Sequence, residues 1–150
     1  MKSPLVSVCI VTYNQERYIR DCVMSVIQQA EDVNIEILVG DDRSNDGTQV
    51  IMESLAEQFP TLIRYRRNPK QLGPIGNYQS LIDASRGSLI AHLDGDDLWV
   101  AGKLAEQIAF LNDHPNCPAV YTNAYTISED GSSLGVFNNP QQDEFGLDYL

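Results

Sequence analysis

With 150 residues and 43% hydrophobic content, the chain has room for one domain with a sizeable core and the composition of a soluble globular protein. A net charge of −11 argues against a nucleic-acid backbone as the main partner. No apolar run approaches the ~20 residues that span a bilayer, and Cys9, Cys22 and Cys117 stand too far apart for a disulfide framework or a zinc-ligand spacing. Met1-Lys2-Ser3-Pro4 leads straight into the apolar run Leu5 to Val11, which lacks a signal-peptide cleavage site, so a cytoplasmic protein is expected. No Lys or Arg follows Lys103, whereas seven acids do.

Leu5–Thr12 is short, β-branched and apolar apart from Ser7, which predicts a strand buried on both faces of a parallel sheet. Asn14 is the expected N-cap of a helix over roughly 16–29, with Ile19, Val23, Val26 and Ile27 as its apolar stripe. Ile35–Gly40 is the next strand. A helix over 48–59 follows, with Val50, Ile51, Leu55 and Phe59 on one side and Pro60 past its end. Leu62–Arg66 is a third strand, 75–85 a helix with Gly87 as its C-terminal cap, and Ser88–Leu93 a fourth strand. A helix over 101–112 turns Leu104, Ile108 and Leu111 inward. Ala119–Thr122 is expected as a fifth strand, and Glu129-Asp130-Gly131-Ser132 as a hairpin turn before a weak strand near Leu134–Phe137. The alternation predicts a parallel α/β sheet with helices on both faces, in a single domain over 1–150. The last residues, from Phe145, read as the opening of another element, so the natural polypeptide is expected to continue past Leu150.

Ligands of open α/β sheets bind beyond the carboxyl ends of the strands. Three predicted strand ends are polar: Thr12-Tyr13-Asn14, Asp41-Asp42 and Asp94-Gly95-Asp96-Asp97. Their five carboxylates would repel one another, and a bound cation is the simplest compensation. Acids on a tight turn offer hard oxygen ligands with open positions, which suits Mg²⁺ or Mn²⁺ held by one or two carboxylates plus substrate phosphates. The same residues also suit simpler roles. Asp96 or Asp97 could cap the helix near 101, Asp41-Asp42 the helix after them, and Asn14 its own. Functionally, Asp41 or Asp42 would accept the imide N–H of uracil or the equivalent donor of another base. Thr12 would hold the base, with Tyr13 lying against it.

Four motifs in order resemble family 2 glycosyltransferases. They are Val6 to Asn14, Glu36 to Asp42 with Ser44-x-Asp46-Gly47-Thr48, Asn68-x-x-x-Leu72-Gly73-x-x-x-Asn77, and Asp94-Gly95-Asp96-Asp97. The resemblance covers about residues 5–123. It implies a GT-A fold, a Rossmann-like and mostly parallel sheet. It implies nucleotide contacts from Thr12, Tyr13, Asn14, Asp41, Asp42 and Asn77, with Asp94 on the ribose or the metal and Asp96 on the metal. Asp97 and Trp99 would shape the sugar pocket. The implied reaction moves a sugar from a nucleoside diphosphate, a UDP-sugar first among donors, to an acceptor hydroxyl with inversion. It needs Mn²⁺ or Mg²⁺ and serves cell-surface polysaccharide synthesis on a carbohydrate or lipid-linked acceptor.

The resemblance also implies a carboxylate general base in an acceptor-binding half downstream. Glu129, Asp130, Asp143 and Glu144 make no convincing candidate, so the base is expected beyond Leu150. The competing expectation is a nucleotide-binding or assembly module without transferase activity in this truncated form; under either reading a homo-oligomer is a candidate assembly. If it is an enzyme, it works in the cytoplasm or peripherally at the inner face of the membrane. No G-x-G-x-x-G follows the first strand, which disfavours a nicotinamide-dependent Rossmann enzyme.

Overall fold

The computed structural model describes residues 6–128 and 130–137. Glu129, Asp143, Glu144 and the segment 138–150, on which several expectations fall, lie outside the described residues. The chain divides into two compact units between Ala109 and Phe110.

The first unit is built on four parallel strands: β1 (Val6–Thr12), β2 (Ile35–Asp41), β3 (Ile63–Arg67) and β4 (Leu89–Asp94), in the order β3-β2-β1-β4. The two central strands are buried on both faces and mostly apolar because both faces are covered. On one side Val8, Ile10, Ile37 and Val39 meet Ile19, Cys22, Val23 and Val26 of α1 (Ile19–Ile27) and Met52 and Leu55 of α2 (Thr48–Gln58). On the other, Cys9 and Leu38 pack against Leu81 and Tyr78 of α3 (Gly73–Ile82). Each fully buried aliphatic side chain contributes about 1.5–3 kcal/mol. The predicted parallel sheet with helices on both faces is therefore present.

Several local expectations are corrected. Asn14 does not cap α1. It adopts a left-handed backbone (φ 55°), and the helix begins at Ile19 after a turn in which Gln15 O accepts from Tyr18 N and Ile19 N. Helix α2 turns Met52 and Leu55 inward and leaves Val50 69% exposed. Its Thr48 hydroxyl accepts from Gln15 N, which rotates the buried stripe onto positions 48, 52 and 55. Gly87 is not the cap of α3, whose C-cap is Asp83. Instead Gly87 N donates to Ser7 Oγ, and a Cβ there would sit 2.5 Å from Ser7 N, so close backbone approach requires glycine.

Around Gly87 a buried lock closes the amino ends of the strands. Glu36 accepts from Ser7 Oγ (2.7 Å), from Arg86 through N, Nε and NH2, and from Arg64 NH1.

Helix α4 (Lys103–Asp113) buries Leu104, and the boundary between the units falls within it. In the second unit Ala119–Thr122 forms no strand. The ladder there belongs to β5 (Tyr125–Ile127) and β6 (Ser133–Val136), antiparallel, with Tyr125 opposite Val136. Their register is set by the turn at Asp130-Gly131, where Gly131 has φ 83° and Asp130 Oδ1 accepts from Ser132 N. No helix among the described residues is long and apolar enough to cross a membrane.

Candidate functional site

Parallel register brings the three polar strand ends together: Thr12 lies beside Asp41, and Val11 beside Asp94. The loops after β1 and β2 are stitched to each other. Asn14 N donates to Ser44 Oγ, Gln15 N to Thr48 Oγ1 and Glu16 N to Asp46 Oδ2. In return Asn45 N donates to Asn14 Oδ1, and Gly47 N to Glu16 Oε2. Asn14 thus spends its side-chain oxygen on the neighbouring loop.

The two adjacent aspartates have different surroundings. Asp41 is fully buried. Its Oδ1 accepts from Ser44 N and Oγ, and its Oδ2 from the Tyr65 hydroxyl at 2.8 Å, with Arg67 Nε at 3.6 Å. Burial, and then Asp41 itself, pushes the Tyr65 hydroxyl well above the usual phenol range, so it stays a donor. Asp42 is 8% exposed. Its Oδ1 accepts from Asn68 Nδ2 and Leu72 N, and its Oδ2 from Gly73 N, which ties it to the start of α3. Neither acid serves α2, where Asp46 accepts from Thr48 N. Asn77 is 1% exposed and lies under the site. It donates to Gly40 O at 2.7 Å and accepts from Asn68 Nδ2, joining α3 to β2 and offering no surface to a ligand.

Above these groups opens a cleft of about 400 Å³ lined by Tyr13, Arg43, Asn45, Arg67 and Gln71. Only Tyr13 was expected there. Arg43 and Arg67 place positive charge at the cleft of an acidic chain. Arg43 reaches it from a left-handed backbone (φ 65°), and Arg67 NH2 is steadied by Ser44 O. Their signal in the sequence was only adjacency to Asp42 and Asn68.

Asp94-Gly95-Asp96-Asp97 forms a tight turn in which Gly95 N donates to Val11 O and Asp97 N to Asp94 O. A Cβ on Gly95 would fall 2.4 Å from Gln15 Oε1 and 2.9 Å from Thr12 Cβ, so the turn seats directly on the end of β1. All three carboxylates are exposed. Burial, then Asp96 and Asp94, pushes the Asp97 carboxyl up. Beneath the turn the buried Cys22 thiol contacts Asp94 O at 3.5 Å. Trp99 is 8% exposed and belongs to the core; its N donates to Ser25 Oγ, and Lys103 Nζ lies 4.4 Å from its ring.

No three His, Cys, Asp or Glu side chains among the described residues gather into a closed metal site. The turn still fits a hard divalent cation that takes one or two carboxylates and completes its shell from ligand oxygens. Its acids are open, mutually repelling and oxygen-only. Beside them, Thr12 Oγ1 and Gln15 Oε1 are buried with no hydrogen-bond partner.

Residues 7–145 match glycosyl transferase family 2. The chain belongs to this family. Among its relatives is the Escherichia coli UDP-Glc:alpha-D-GlcNAc-diphosphoundecaprenol beta-1,3-glucosyltransferase WfgD, 34% identical over 95% of this chain and 54% of that enzyme. The chain spans between 38% and 54% of the length of the curated relatives it matches. Two of the similar solved structures carry a nucleotide sugar. The mannosyltransferase PcManGT from Pyrobaculum calidifontis, in complex with GDP-Man and Mn²⁺, has a TM-score of 0.66 at 25% identity over 74% of this chain and 33% of that one. Staphylococcus aureus TarS 1-349 in complex with UDP-GlcNAc has a TM-score of 0.64 at 25% identity over 73% and 32%. The architecture is the GT-A fold.

Proposed function

We propose that this chain is the donor-binding domain of an inverting glycosyltransferase that takes a UDP-sugar with Mn²⁺ or Mg²⁺. The observation that carries this reading is the register-enforced meeting of Thr12, Asp42 and the Asp94–Asp97 turn at one sheet edge, beside the cleft at Tyr13. Asp42 Oδ2 keeps acceptor capacity for the base N–H, Tyr13 supplies a flat wall that is 45% exposed, and Thr12, whose buried hydroxyl has no partner, would reach the ligand only through a shift at the end of β1. Asp96, with Asp94, would hold the cation. When bound, that cation neutralises charge developing on the leaving diphosphate. Asp97 would border the sugar, with Trp99 supporting the turn from the core.

The acceptor proton goes to a carboxylate base. We place that base in sequence that the longer relatives carry outside the matched stretch. The names of the relative and of the two solved complexes support a nucleotide-sugar donor. The diphosphoundecaprenol-linked acceptor in the name of WfgD supports a lipid-linked carbohydrate acceptor, and the similarity to a teichuronic acid biosynthesis glycosyltransferase of Bacillus subtilis supports a place in polysaccharide synthesis.

Calorimetric titration of UDP into the chain with and without Mn²⁺ tests this reading. Mn²⁺ should strengthen binding in wild type and do nothing in Asp96→Ala. Equal metal effects in both would refute the assignment.

A further inference from the structure

We propose that His92 is a positioning residue: it holds one oxygen of the Asp94 carboxylate and so turns the other oxygen toward the cation. The inference rests on reading Asp94–Asp97 as the cation and diphosphate turn. His92 and Asp94 are two residues apart on β4 and so project from the same face. His92 Nε2 lies 3.2 Å from Asp94 Oδ1. A carboxylate only accepts, so Nε2 is the nitrogen that carries hydrogen in this contact.

The imidazole is itself backed by α3. Tyr78 meets it edge-on, with ring centroids 4.4 Å apart and planes at 73°. Tyr78 packs in turn against the buried cluster of Cys9, Leu38 and Leu81. A line of contacts therefore runs from the core through Tyr78 and His92 to Asp94.

A half-exposed aspartate left alone turns freely about its soft terminal torsion. With one lone pair of Oδ1 spent on His92, the two oxygens of Asp94 are unequal, and one-oxygen binding through Oδ2 is favoured over two-oxygen binding. Ca²⁺ readily takes bidentate carboxylates, whereas Mg²⁺ and Mn²⁺ suit octahedral sites of single oxygens. His92 thereby biases the turn toward the smaller ions.

Two variants separate this role from a merely structural one. His92→Phe keeps a ring against Tyr78 and removes the donor, and His92→Gln returns an amide N–H near the place of Nε2. UDP binding to the 150-residue chain is measured by calorimetry with Mn²⁺, with Ca²⁺ and without metal, alongside Tm. His92→Phe should weaken Mn²⁺-assisted UDP binding by about tenfold. Metal-free affinity and Tm should hold, Ca²⁺-assisted binding should hold or strengthen, and His92→Gln should recover the Mn²⁺ effect. Wild-type Mn²⁺ enhancement that persists undiminished in His92→Phe overturns the role of His92 alone. So does a loss shared equally by the metal-free affinity and Tm. A wild type whose UDP binding ignores Mn²⁺ overturns the reading of the turn and this inference with it.

Discussion

Asp41 and Asp42 are neighbours with the same side chain, yet their partners give them different duties. Asp41 has both oxygens taken by Ser44 and Tyr65 in a fully buried setting. Asp41→Ala should leave the Ser44 N–H and the Tyr65 hydroxyl unpaired, at about 1–3 kcal/mol for each group. A large fall in Tm with little loss of UDP affinity in the surviving folded protein is the expected outcome. Asp42→Ala should instead weaken UDP binding roughly tenfold or more, the equivalent of about 1.4 kcal/mol or above, and lower Tm modestly through the loss of the contacts to Leu72 and Gly73. Titration calorimetry and thermal melts on both variants check this, and identical profiles would contradict it. The sequence made both acids candidates and could not rank them. What separates them arrives from Tyr65, Asn68 and Leu72, more than twenty residues downstream. The bonds of Asn77 were hidden for the same reason: its amide reads as a polar group near a nucleotide, and its partners Gly40 and Asn68 are distant in sequence.

At the scale of elements, the strands were legible because continuous apolar runs bounded by polar turns leave few alternatives. The helix faces were less so. The stripe of α2 depends on Thr48 being drawn inward by Gln15, a contact from another loop. Ala119–Thr122 has strand composition but loses the ladder to Tyr125–Ile127, where the Gly131 turn fixes the pairing. The lock at Glu36 was also invisible, since Ser7, Arg64 and Arg86 are scattered along the chain. Burial alone pushes the Glu36 carboxyl up. The Ser7 hydroxyl and Arg86, then Arg64, outweigh it and hold the group below the usual carboxylate range. A depressed folded value means stability that is present above the unfolded value of about 4.3 and is lost as pH falls through the folded one. Glu36→Gln should therefore melt lower than wild type at neutral pH, and the gap should narrow on acidification below about pH 4. A gap independent of pH would show that the ionised form contributes nothing. Gly87→Ala should cost about 1–3 kcal/mol by forcing a Cβ onto the backbone of Ser7.

For the whole molecule, the dominant fact is charge. UDP is an anion approaching a chain of net charge −11, toward a turn that carries three exposed acids. The two arginines of the cleft offset this only locally. Raising the salt from about 10 mM to about 150 mM shortens the screening length from ~30 Å to ~8 Å. Metal-free UDP binding should then strengthen or hold, because repulsion is what salt removes. Mn²⁺ binding should weaken, because attraction is removed. Titrations at the two salt levels check for these opposite signs. A fall in metal-free UDP affinity as steep as that for Mn²⁺ would mean that the cleft arginines dominate the field.

The stitching between the loops after β1 and β2 bears on how such a protein can be re-engineered. Five hydrogen bonds cross between Asn14-Gln15-Glu16 and Ser44 to Thr48, and each runs from a backbone N–H of one loop to a side chain of the other. A chimera that imports only one of these loops from a relative would strand backbone donors in the other, each costing about 1–3 kcal/mol where it is shielded from water. The pair therefore behaves as one exchangeable cassette. A graft that swaps 13–16 together with 44–48 should fold and keep its cleft, whereas either half alone should yield less folded protein than both.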